Sequence, residues 1–132
     1  MASLLCDLFV QHASPAMPGA LVPVPMHLRR LRQRGFNPAR ELAAGLARRG
    51  CGALVTGALG RCRYTVPQSE LPARSRERNL AGAITASFHG RPPARVVLVD
   101  DVMTTGSTAA ACAAALREQG VGEVDVWVMA RA

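Results

Sequence analysis

VVLVDDVMTTGST, residues 96 to 108, decides how this chain folds. Four aliphatic residues with no polar interruption predict a strand buried on both faces, over Arg95 to Val99. The helix expected next runs from Ser107 to Glu118, is alanine-rich and stops at Gly120. Val124 to Met129 then reads as a second strand. Strand, helix, strand in that order predicts a right-handed βαβ unit and a parallel sheet. Ligands bind where the carboxyl ends of such strands open, and Asp100 and Asp101 are expected at that end. Thr104, Thr105, Gly106, Ser107 and Thr108 form the turn into the helix. A helix amino terminus has unpaired N–H groups and a partial positive charge, so this turn can hold a phosphate without a basic side chain. Gly106 would let the backbone come close, and the hydroxyls add donors.

The two aspartates would repel that phosphate if they faced it. They suit ribose hydroxyls instead, since a carboxylate accepts hydrogen bonds from two neighbouring hydroxyls. A magnesium ion carried by the ligand would lower the charge further. The expected ligand is thus a sugar phosphate, with phosphate at the helix end and ribose over the acids. Other strand–acid patterns fit less well. An ATPase P-loop ends in Gly-Lys, and the chain has no lysine. A receiver domain places its acidic pocket early, whereas 31 residues follow Asp101. No GxGxxG supports a dinucleotide fold.

Upstream, Ala20 to Val24 reads as a short buried strand broken by Pro25. Asn37-Pro38 is a helix start, and the helix is expected to stop at Gly50. Ser3 to Gln11 is a candidate helix with Leu4, Leu5, Leu8 and Phe9 on one face. Ala53 to Leu59 is a candidate strand weakened by glycine, and Leu80 to Ser87 a short helix or turn. Residues 61–79 are polar, basic and proline-broken, long for a connection in a compact domain; such loops are lids, binding loops or disordered segments.

At 132 residues and 49% hydrophobic composition the chain predicts one domain with a real core. No apolar run approaches a membrane span, and the first residues lack a basic leader, so a cytoplasmic protein without membrane attachment is expected. The four cysteines form no CxxC pair, so a zinc ribbon has no support, and no metal ligand set is assigned. Cys6 and Cys112 read as core, Cys51 and Cys62 as surface thiols. The net charge is +7, with every basic residue an arginine. Arg29 to Arg95 carries +11 and the remainder −4, so an anionic partner is expected: phosphate, pyrophosphate or nucleic acid.

VVLVDDVMTTGST resembles the phosphoribosyl-pyrophosphate (PRPP) loop of type I phosphoribosyltransferases. LVPVPMHLRRLRQRGFNPARELA (21–43) and RYTVPQSELPARSRERNLAGAITASF (63–88) resemble the ComF competence family within that superfamily. The order and spacing match from about Leu21 to Arg131. The resemblance implies an α/β fold with a parallel sheet flanked by helices and a flexible hood loop. It assigns Asp100 and Asp101 to the ribose hydroxyls and residues 104 to 108 to the 5′-phosphate. Pro23, Val24, Pro25, Met26 and His27 take the place of the pyrophosphate loop, joined by Arg29, Arg30 and Arg34, whose forked donors suit that anion. Residues 61–79 take the place of the hood, with Arg74, Arg76, Arg78 and Asn79 as its contacts. His27 is also a candidate base, although a lone histidine is more often structural.

Family members usually begin with a four-cysteine zinc module, which this sequence does not contain, and RGFNQ reads RGFNP here. The implied activity is displacement of pyrophosphate from PRPP by a nitrogen nucleophile with Mg2+. PRPP or a nucleoside monophosphate is the expected ligand, and a homodimer is compatible with the sequence. The rival reading is a binding module for nucleotide or single-stranded DNA in DNA uptake, suited by the basic middle region. The low aromatic content, 4%, counts against a stacking platform.

Overall fold

A computed structural model of the protein describes residues 19–26, 28–61 and 84–132. Its elements run β1 (Gly19–Pro23), α1 (Leu28–Arg34), α2 (Pro38–Arg48), β2 (Gly52–Leu54), β3 (Leu59–Arg61), β4 (Ile84–Ala86), β5 (Arg95–Met103), α3 (Ser107–Glu118) and β6 (Glu123–Arg131). One four-stranded sheet has the order β2-β1-β5-β6, and each neighbouring pair is parallel. A separate antiparallel ribbon pairs β3 with β4.

The aliphatic run makes β5 a central strand because both of its faces are covered. Val97 and Val99 join Leu21 of β1 and Leu42, Ala43 and Leu46 of α2 in one apolar cluster. Val96 and Leu98 face the other way, against Val22, Cys112 and Leu116 of α3, and Ala58 and Ile84 beside the ribbon. Each fully buried Val or Leu there contributes about 1.5–3 kcal/mol of burial free energy. The α2 start follows its sequence closely. The Asn37 side chain accepts from Ala39 N at 3.1 Å, Pro38 occupies the first helical position, and the last turn closes through Gly50 N to Ala47 O and Cys51 N to Leu46 O.

Three expectations need correction. Residues 53–59 are not one strand: Gly57, at φ +79°, turns the chain between β2 and β3. Ile84–Ala86, expected as helix or turn, is a strand, because Ile84 is buried in the core and pairs with Arg61. The arginine-rich stretch before Asn37, for which no element was assigned, is helical as α1, with Gly35 N bonded to Leu31 O. Strand β5 continues through the acidic pair to Met103, held by β6 alongside, so the aspartates lie within the strand rather than beyond it. The candidate helix at Ser3–Gln11 lies outside the described residues.

The layout positions a crevice. From β1 the chain crosses through α1 and α2 to β2 on one side of it. Later β5 joins on its opposite side. The order reverses between β1 and β5, so the segments leaving their carboxyl ends diverge there. Val24 N still bonds to Val99 O at 2.9 Å, and past that point the two strands separate.

Candidate functional site

At this divergence lies a cleft of about 410 Å³. Pro25 and Met26 come from the end of β1, Arg30 and Arg34 from α1, Asp100, Asp101 and Val102 from β5, and Thr104 and Thr108 from the turn into α3. Asn37 and Arg61 complete its wall. Parallel pairing thus brings together three stretches far apart in sequence.

The acidic pair is only partly buried, and its backbone is tied to its own side chain: Asp101 N donates to Asp100 Oδ1 at 2.9 Å. Burial first, then the hydrogen bond and charge of Asp101, push the Asp100 carboxyl up to about 6; the Arg61 guanidinium acts the other way. Asp100 is therefore mostly ionised at neutral pH and can accept hydrogen bonds from a ligand's hydroxyls.

The turn into α3 begins at Gly106, in the left-handed region at φ +83°, and no side chain caps the helix from that position. Ser107 N instead donates to Thr105 Oγ1 at 3.3 Å, and the Thr105 and Ser107 hydroxyls share a 2.9 Å hydrogen bond. The remaining N–H groups of the first turn have no partner within the helix, which is the geometry an anion uses. A Cβ on Gly106 would meet Met103 Sδ at 3.7 Å, an ordinary contact. Its glycine is thus required here by the backbone angle rather than by crowding.

Of the residues expected at the site, Pro25, Met26, Arg30, Arg34, Asp100, Asp101, Thr104 and Thr108 line one cleft. Thr105, Gly106 and Ser107 shape the turn without lining it, and Arg29 is exposed on α1. His27, Arg74, Arg76, Arg78 and Asn79 lie outside the described residues. Cys112 is fully buried and its thiol is pushed up to about 12, chiefly by burial, which leaves it a core residue with no nucleophilic role. Cys51, read as a surface thiol, is half-buried.

One contributor escaped the sequence reading and a second was placed in the wrong element. Asn37 looked like a helix cap alone, yet its Nδ2 also donates to Val24 O at 3.1 Å. It ties the start of α2 to the chain leaving β1. Arg61, expected as the first residue of the loop 61–79, instead ends strand β3, in register with buried Ile84. No local pattern marks it, because its burial comes from the β3–β4 pairing. Among the described residues no group of three His, Cys, Asp or Glu side chains is placed to hold a metal, and no helix is long and apolar enough to cross a membrane.

No family model matches the chain. It is 39% identical over 118 residues to competence protein F of Haemophilus influenzae, covering 88% of this chain and 52% of that protein. It is 40% identical over 116 residues to the DNA utilization protein YhgH of Salmonella typhi, covering 87% and 50%, and 39% identical over 117 residues to YhgH of Escherichia coli K12. The chain spans about half the length of these curated relatives. Among solved structures, the fold is similar to the glutamine PRPP amidotransferase of B. subtilis, a structure complexed with ADP and GMP. The TM-score is 0.64 at 22% identity, over 97% of this chain and 26% of that one. A second neighbour, an allosteric regulatory enzyme of purine biosynthesis, has a TM-score of 0.54 at 20% identity. At such identities the likeness concerns the fold. The chain is a homologue of competence protein F and the YhgH proteins, built on the type I phosphoribosyltransferase fold.

Proposed function

We propose that the chain binds PRPP or a nucleoside monophosphate together with Mg2+, and transfers the phosphoribosyl group to a nitrogen acceptor with release of pyrophosphate. The observation that carries this reading is the single cleft lined by Asp100 and Asp101, by Thr104 and Thr108, and by Arg30 and Arg34. Each wall suits one part of the ligand. The hydroxyl turn takes the 5′-phosphate, the carboxylates take the ribose hydroxyls, and the arginines take the pyrophosphate. In the transfer, the bond from the anomeric carbon to the pyrophosphate oxygen breaks and a carbon–nitrogen bond forms. The nitrogen then loses a proton, to solvent or a neighbouring acceptor.

Positive charge grows on the sugar and negative charge on the departing group. Asp100 and Asp101 lie on the side that stabilises the first, Arg30 and Arg34 on the side that stabilises the second. Oxygen-only donors fit magnesium. Carried by the ligand's phosphates, the ion would supply neutralisation of the leaving pyrophosphate. Calorimetry with PRPP and with AMP, both with Mg2+, tests the reading. Wild-type protein is expected to bind both, and Asp100→Asn with Asp101→Asn to lose at least about tenfold for each, as expected when charged acceptors are removed. Equal affinity in the two proteins rejects the ribose contact.

A second reading is favoured by the relatives' names and by α1, where Arg29, Arg30, Arg32 and Arg34 are all exposed. In it the domain serves DNA uptake by binding nucleotide or single-stranded DNA without turnover. Pyrophosphate release from PRPP in the presence of amine acceptors separates the two: turnover supports transfer, while oligonucleotide binding with no turnover supports the accessory role.

A further inference from the structure

A second cleft of about 490 Å³ adjoins the first. It runs between α1, the start of α2 and residues 55–61, and the two clefts share Pro25, Met26, Asn37 and Arg61. Arg61 is the charged residue in that shared wall. Its Nε is buried and has no hydrogen-bond partner, the one such side-chain atom among the described residues. Burial pulls its pKa down, and the neighbouring Arg30 charge acts the same way; Cys112 and Asp100 oppose them. The position is not accidental. Leu59 and Arg61 lie two apart on β3, hence on one face of the strand, and Leu59 packs on the core cluster that contains Cys112 and Ile84. The ribbon register therefore pins Arg61 against the molecule rather than leaving it in solvent.

A buried donor atom without a partner is destabilising, and in native structures such an atom can be completed by a ligand or ion. Arg30 and Arg61 line the same cleft, and the Arg30 charge disfavours the charged form of Arg61, which a multiply charged anion between them reverses. We propose that Arg61 binds the pyrophosphate of the ligand from the floor of the cleft, donating its Nε–H to a phosphate oxygen, and so sets the preference for a ligand with pyrophosphate over one with a 5′-phosphate alone. The inference rests on the reading of the cleft as a phosphoribosyl site. It adds a residue from the β3–β4 ribbon to walls otherwise built by the chain leaving β1, α1, Asn37, β5 and the turn into α3.

The test compares wild type, Arg61→Met and Arg61→Lys by calorimetry against inorganic pyrophosphate and against AMP, each with Mg2+, and records the melting temperature of each free protein. Arg61→Met is expected to weaken pyrophosphate by about ten- to a hundredfold, the loss of a charge-assisted hydrogen bond. AMP affinity stays within about twofold, below the effect of any such bond. The free protein melts no lower than wild type, because no partner is lost. Arg61→Lys, with a charge but no fork, recovers part of the pyrophosphate affinity. Unchanged pyrophosphate affinity in Arg61→Met, equal losses for both ligands, a clear fall in the free melting temperature, or no pyrophosphate binding by wild type would each overturn the proposal. Failure of the acidic-pair variants to affect AMP would instead reject the phosphoribosyl reading, leaving the pyrophosphate result to stand on its own.

Discussion

Asp100 is half-buried beside a second carboxylate, and both circumstances favour its protonated form. Its pKa rises from 3.8 to about 6 on folding. The folded state then holds the proton more tightly than the unfolded chain. The stability this contributes is present below about pH 4 and is lost as pH rises through 6. Asp100→Asn, whose oxygen can still accept from Asp101 N, is expected to stabilise the free protein at pH 7.5 by about 1 kcal/mol, a figure reduced for solvent screening. It should also flatten the loss of stability between pH 4 and 6. Urea melts at pH 4, 5 and 7.5 check this, and identical pH profiles for the two proteins would show that the charge is solvated. Gly106 gives a second test at this scale. At φ +83° an alanine strains the backbone by about 1–2 kcal/mol although nothing crowds its methyl group. Thermal melts of Gly106→Ala should show that loss, and an unchanged melting temperature would mean that the turn relaxes freely.

At the scale of elements, Asn37 couples a helix start to one wall of the cleft. Its oxygen caps α2 and its amide holds Val24 O, just before Pro25 and Met26 enter the cleft. Asn37→Ser keeps a capping oxygen but cannot span to Val24. It should retain most of the stability while weakening pyrophosphate binding several-fold. Asn37→Ala loses both bonds and should cost about 1–2 kcal/mol by urea denaturation. Equal pyrophosphate affinity in wild type and Asn37→Ser would show that the tether does not shape the wall. These elements also show what was legible beforehand. Helix α2 could be read because its cap, its proline and its terminal glycine are all local signals. The β5–α3–β6 unit could be read because its apolar run and helical stretch are long. Helix α1 could not, since seven residues with only Leu28 and Leu31 apolar are too short to establish a period. The ribbon could not either: β3 and β4 are three residues each and pair across a long gap in sequence. Arg61 was assigned to the following loop for the same reason. The acidic pair and the hydroxyl turn were visible as chemistry, but the company they keep in the cleft is a product of sheet order.

Across the whole molecule, charge is divided as the fold is divided. The basic region, net +11 between Arg29 and Arg95, supplies α1 and the far wall of the cleft, while the acidic remainder supplies β5 and β6. A small anion and a polyanion would use this division differently. On the proposed reading PRPP enters the cleft, and its affinity then depends on Arg30, Arg34 and Arg61, which line it. A single strand of DNA follows surface charge, and each neutralised phosphate adds about 0.7 to the slope of log affinity against log salt. Arg32 and Arg48 are exposed on the basic helices and line neither of the two clefts. Changing both to Gln should therefore leave PRPP affinity within about twofold, less than the loss of one hydrogen bond. The same change should weaken an oligonucleotide and lower its salt slope by up to about 1.4, two phosphate contacts. Arg30→Gln with Arg34→Gln should weaken both ligands, since these residues are on the surface and in the cleft at once. Titrations of fluorescent oligonucleotide from 50 to 200 mM salt, roughly the range over which counterion release is resolved, measure the slopes. An oligonucleotide slope untouched by the Arg32 and Arg48 changes, with PRPP affinity falling instead, would reverse the assignment and place the small ligand on the open basic face.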